Sequence, residues 1–157
     1  MTLEVREVMA EAQPLAVVAG WTPRAELADT IGSRLDKIYA SLRSRRIGGL
    51  GHNVVVYRRA AVIEGVASLM IEVGVETPGR IPADAEVTAS STPAGRAALA
   101  VYFGPYQQIA AAGEAALAEI AARGLKTTGV SWEVYGDWEE DPAKLRTDLY
   151  WLLEPAT

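Results

Sequence analysis

Two stretches of this chain can be laid over one another, and that repetition limits the fold more than any other feature. Gly51-His52-Asn53-Val54-Val55-Val56-Tyr57 matches Gly129-Val130-Ser131-Trp132-Glu133-Val134-Tyr135 at a constant offset, with Gly, Val and Tyr in the same places. Upstream, Gly20-Trp21-Thr22-Pro23 lies over Tyr102-Phe103-Gly104-Pro105, so an aromatic residue and a proline precede each of two helical patterns. The register slips by a few residues between the two matches, in the helix or the loop after it. Internal duplication is the economical reading.

The segments between these anchors agree with it. Leu3 to Met9 alternates as an edge strand, and Pro14 separates it from Leu15 to Gly20, an apolar run typical of a buried strand. Thr22 followed by Pro23 suits a helix N-cap and first turn. Leu27, Ile31, Leu35, Ile38 and Leu42 then mark one face of a helix over residues 23–44. Strands are expected at 53–58 and 66–75. Pro78, Gly79 and Pro82 make 76–85 a loop, and residues 86–90 and 97–103 read as a hairpin. Gly104-Pro105 opens a second helix whose buried face is Ile109, Gly113, Ala116, Leu117, Ile120 and Ala121, with Gly124 as its stop. Strands at 131–135 and 147–153 flank a polar loop at 136–144. The expected architecture is α+β, a single domain over 1–157 with β-α-β-β repeats at roughly 1–76 and 84–157. A mostly antiparallel sheet would carry two long helices on one face, with a ligand cleft between the halves, where related halves commonly hold ligands.

Composition narrows the chemistry. A chain of 157 residues is about one ordinary domain. It has no cysteine, which excludes disulfides, thiolate zinc sites and cysteine nucleophiles, and its one histidine, His52, does not supply the usual His-rich metal set. No metal site and no cofactor are expected. The net charge is −5, and the only basic run is Arg43 to Arg46. That argues against nucleic acid as a direct partner and against an anionic membrane surface. The run itself suits a helix C-terminus, where the dipole favours cations. No apolar stretch approaches the ~20 residues of a membrane span. Glu4, Arg6 and Glu7 interrupt any signal-peptide core, so a cytoplasmic location is the default expectation.

Duplication makes Val55 and Glu133 equivalent. One repeat carries the apolar residue a sheet interior favours, and the other carries an acid. An ionised carboxylate in a sheet interior is costly unless it has a partner, and such local violations concentrate at functional sites. Either Glu133 reaches water at an edge or it waits in a cleft for something positive; the cleft is the reading adopted. Strand alternation puts Glu133 and Tyr135 on one face and Trp132 and Val134 on the other. Tyr57 is the counterpart of Tyr135. Trp21, Tyr57, Tyr102, Trp132, Tyr135, Tyr150 and Trp151 gather near strand ends. Tyr150 and Trp151 fall on opposite faces, and alternation alone does not say which of them lines the cleft.

Tyr102-Phe103-Gly104-Pro105, Trp132-Glu133-Val134-Tyr135 and Thr147-Asp148-Leu149-Tyr150 together resemble the motifs of the GyrI-like small-molecule binding domains, also found as effector-binding domains of AraC-type and MerR-type regulators. Asp148 stands where that family usually has Glu, and Leu152 where Pro is common. The resemblance implies a cleft between two halves with an acid in it, here Glu133, and aromatic residues around it. It also implies ligands that are apolar, aromatic and often cationic. Ring faces attract positive charge, so a carboxylate among them suits a delocalised cation. The candidate ligand-binding residues are Glu133, Tyr135, Trp132, Tyr57, Trp21, Tyr102, Tyr150 and Trp151.

Three functions are expected to compete. The first, and preferred, is a stand-alone binding protein for such molecules with a sensing, sequestering or drug-resistance role, since no helix-turn-helix precedes it. The second is a hydrolase of cyclopropane-bearing genotoxins, as some similar proteins are, with Glu133 directing water. The third is a protein-interaction module such as a gyrase inhibitor, using the acidic loop from Gly136 to Lys144. A homodimer or a regulatory protein partner is compatible with each.

Overall fold

The computed structural model describes residues 3–156; positions 1, 2 and 157, the outer limits of the expected repeats, lie outside them. The chain runs β1 (Val5–Ala10), β2 (Pro14–Pro23), α1 (Leu27–Ser44), β3 (Asn53–Ile63), β4 (Val66–Glu76), β5 (Thr88–Ser91), β6 (Gly95–Phe103), α2 (Ile109–Ala122), β7 (Thr127–Tyr135) and β8 (Arg146–Leu153). This is an α+β fold with mostly antiparallel strands. It gathers into two compact units. One holds the residues up to Glu11 together with those from Pro93 on, and the other is Ala12–Thr92. The first carries α2 and strands in the order β1-β6-β8-β7; the second carries α1 and the order β3-β4-β2-β5. Each unit draws its outermost strand from the other half of the sequence, because β1 pairs with β6 and β5 pairs with β2.

In the first unit, small residues decide how the helix sits. Ala98 and Ala100 on β6, with Ala112 and Ala116 on α2, let the helix approach the sheet closely while Val5, Ile120, Leu149 and Leu153 fill the core. Burying each of those larger side chains is worth about 1.5–3 kcal/mol. The helix stops as its sequence predicts. Gly124 adopts φ +72°, and the N–H groups of Gly124 and Leu125 donate to the carbonyls of Ala121 and Ile120.

In the second unit, Ile38 and Leu42 are the buried face of α1, which packs on β2 and β4. The expected N-cap at Thr22 is not formed. β2 continues through Pro23 and a single turn of 3₁₀ helix, Arg24–Glu26, leads into α1. The Thr22 hydroxyl instead meets that of Thr30 at 2.7 Å. The far end of α1 closes like that of α2, with Ile47 N–H donating to Leu42 O, but the left-handed residue is Arg46, at φ +55°. A side chain in that conformation costs about 1–2 kcal/mol. Arg46→Gly should therefore raise stability by about 0.5–1 kcal/mol, read as a rightward shift of the urea midpoint.

β3 and β4 are longer than their sequences suggest. They pair out to Ile63 and Val66, joined by Glu64 and Gly65 at φ +48° and +80°. This is the geometry of a two-residue hairpin turn that usually takes Asn-Gly. Glu in the first position hid it.

The loop after β4 is fastened to α1 through Asp84. Its carboxylate accepts from the Ser41 hydroxyl and from the N–H groups of Glu86 and Val87 at 2.9 and 2.7 Å, and Arg45 lies 3.6 Å away. The Ser41 hydrogen bond, then the two backbone bonds, hold its pKa at about 2. Unfolded Asp titrates near 3.9, so the folded value is depressed. The contribution is complete above the unfolded pKa and is lost as pH falls through about 2. Wild type should show a higher urea midpoint than Asp84→Asn at pH 6, and the gap should close as the pH is lowered to 2.

Candidate ligand site

Directly opposed residues of antiparallel strands point to the same face. The register of the first unit therefore sets out its helix-bearing face in rows. Tyr135, Thr147 and Tyr102 form one row, Glu133, Leu149, Ala100 and Val5 the next, and Ser131, Trp151, Ala98 and Glu7 the third. The helix α2 packs over β6 and β1, so the β6 ends of these rows are buried. Ser131, Glu133, Tyr135 and Trp151, at the β7 and β8 ends, are only partly buried.

Glu133 is held in place on that less covered side. Tyr135, two residues along the same strand face, donates its hydroxyl to Glu133 Oε1 at 2.7 Å. The ring of Tyr106, in the 3₁₀ turn before α2, stands edge-on to Tyr135 with centroids 6.0 Å apart and planes at 90°. Such edge-to-face pairs are worth about 0.5–1.5 kcal/mol beyond their burial. Trp151 completes the group from β8. A Cβ on Gly113 of α2 would lie 3.9 Å from its indole, so a glycine is what the helix presents to that ring. Tyr106 is absent from the sequence-derived candidates. Nothing in its spacing ties it to Tyr135, and only the turn ahead of α2 brings the two rings together.

The other aromatic candidates have different surroundings. Trp132 and Tyr150 pair across β7 and β8 on the face opposite to Glu133. Their rings stack at 4.8 Å and 2°, and Trp132 is 3% exposed. Of the pair alternation left open, Trp151 shares the face of Glu133 and Tyr150 does not. Tyr102 is buried, and its hydroxyl donates to Pro105 O at 3.0 Å, so it props the entry to α2. Trp21 and Tyr57 belong to the other unit. There Tyr57 pairs with Ile71, and Ile71 with Gly20, on the face that carries α1. Arg34 of α1 reaches down onto that row, donating to Gly20 O at 3.2 Å. Trp21 points the other way, beneath the guanidinium of Arg59, 5.5 Å from its ring.

Matching rows in the two units differ in polarity. The second unit has Tyr57–Ile71–Gly20 and Val55–Val73–Val18. Where it has Val55 and Ile71, the first unit has Glu133 and Thr147. The first replacement is legible by sliding one strand over its repeat. The second appears only when the neighbouring strands are put in register.

The chain matches the family described as GyrI-like small molecule binding domain over residues 3–154, and it belongs to that family. Among solved structures it is similar to the EcmrR C-terminal domain, at TM-score 0.72 and 15% identity, over 99% of this chain and 100% of that one. It is also similar to a hydrolase from Listeria innocua, at TM-score 0.62 and 10% identity, over 98% and 93% of the two chains. A third similar structure is of a protein bound to tetraphenylphosphonium, at TM-score 0.56 and 14% identity, over 98% and 94%. At these identities the likeness is one of fold. No curated protein matches the chain. Among the described residues, no helix is long and apolar enough to cross a membrane.

Proposed function

We propose that this chain binds apolar, aromatic cations on the helix-bearing face that carries Glu133, as a sensing or sequestering protein. The observation behind the reading is the carboxylate itself. It lies partly buried on a sheet face, oriented by the Tyr135 hydroxyl at 2.7 Å, on the same face as Trp151, with the Tyr106 ring packed edge-on to Tyr135. A phosphonium or quaternary ammonium donates no hydrogen bond, so its attraction to the carboxylate does not depend on an open hydrogen-bonding position there. At about 5 Å and an effective dielectric near 20, its attraction to the carboxylate is on the order of 3 kcal/mol. Ring faces add roughly 0.5–2 kcal/mol more. The similar fold that holds tetraphenylphosphonium lends support to this choice of cation. Titration calorimetry with tetraphenylphosphonium should give saturable binding; no heat and no thermal shift at millimolar ligand would refute it.

A second reading is favoured by one observation, the similar fold of the Listeria innocua hydrolase. Glu133, fixed by Tyr135, would take a proton from a water molecule as its oxygen bonds to a cyclopropane carbon of a ligand held at the same place; the ring C–C bond breaks, and its electron pair, left on the other carbon, takes back that proton to give the ring-opened alcohol. Loss of product formation in Glu133→Gln, with binding of the intact electrophile retained, distinguishes hydrolysis from binding alone.

A further inference from the structure

Thr147 is fully buried, at 0% exposure, and its hydroxyl has no hydrogen-bond partner among the described residues. Buried side-chain hydroxyls are nearly always satisfied, because leaving one unmet costs stability that a methyl group would not. The second unit has the apolar solution at the matching position, where Ile71 is equally buried. Neither row neighbour donates to it. The Tyr102 hydroxyl is committed to Pro105 O and the Tyr135 hydroxyl to Glu133. The hydroxyl thus lies one row from the carboxylate, on the same face, and Tyr106, at 42% exposure, is the most exposed ring of this group.

We infer that Thr147 is the hydrogen-bonding group of this site, and that its preferred ligand carries a hydroxyl about one aromatic ring away from the cationic centre, the spacing of adjacent rows on one strand face. This rests on the cation reading above. A threonine hydroxyl can donate once and accept twice, so a ligand hydroxyl, which also does both, is the best match. The Tyr106 ring, packed edge-on to Tyr135 in the same row, would turn aside to admit it. Replacing an unmet buried hydroxyl with a methyl of the same shape should also stabilise the free protein.

The test uses two probes that differ by one atom group, tetraphenylphosphonium and (4-hydroxyphenyl)triphenylphosphonium. Wild type should bind the hydroxylated probe about five- to tenfold more tightly. Thr147→Val should bind both equally and melt about 3 °C higher without ligand, while Thr147→Ser keeps the preference. Equal binding of the probes by wild type, an unchanged ratio in Thr147→Val, or a lower melting temperature for that variant would overturn the inference and leave the cation reading standing. Failure of wild type to bind either probe would overturn both.

Discussion

Glu133→Gln is expected to weaken tetraphenylphosphonium binding by about 30- to 100-fold and to leave the melting temperature within about 2 °C of wild type. The substitution removes charge and little else. Glutamine keeps a carbonyl oxygen for the Tyr135 hydroxyl that now donates at 2.7 Å, so the strand face keeps its shape. What goes is the attraction between a partly desolvated carboxylate and a cation, roughly 2–3 kcal/mol, and each 1.4 kcal/mol is a factor of ten. Titrations at 0.05 and 0.5 M salt should show a similar ratio of the two proteins, since a partly buried pair is screened less than an exposed one. Neutralising Glu139 and Glu140 in the exposed loop after β7 should change affinity less than about threefold at physiological salt. A Glu133→Gln variant that binds like wild type would show that the carboxylate does not hold the cation.

The largest loss of stability is expected at Trp132. Its indole is 3% exposed and stacked at 4.8 Å on Tyr150, so Trp132→Ala opens a cavity and breaks an aromatic pair. About 3–5 kcal/mol should be lost, which for a chain of this size lowers the melting temperature by about 10–15 °C. Trp132→Phe should recover much of that. The indole faces away from Glu133, so the folded Trp132→Phe protein should bind tetraphenylphosphonium within about threefold of wild type. Retained stability together with lost binding would instead put the indole in contact with ligand.

Much of this was legible in the sequence because it is written in spacing. Leu27, Ile31, Leu35, Ile38 and Leu42 announced α1, Gly124 announced the end of α2, and alternation separated Glu133 and Tyr135 from Trp132. The acid stood out against Val55 once the repeat was aligned. What stayed hidden depends on partners. An edge strand such as β1 shows alternation but does not encode which strand it joins, so its pairing with β6 could not be read. Tyr150 and Trp151 needed the register of β8 against β7. Thr147 looked like an ordinary strand residue until its row neighbours were known. Thr22 kept the composition of a helix cap, yet pairing with β4 held it in the strand. Tyr106 reached Tyr135 only through a turn that neither residue specifies.

The most direct test is a crystal structure of the protein soaked with tetraphenylphosphonium. Phosphorus is expected within about 6 Å of the Glu133 carboxylate, with a phenyl ring against Tyr135 or Trp151. A cation seated against the Trp132–Tyr150 stack, with Glu133 facing only solvent or protein, would contradict that placement.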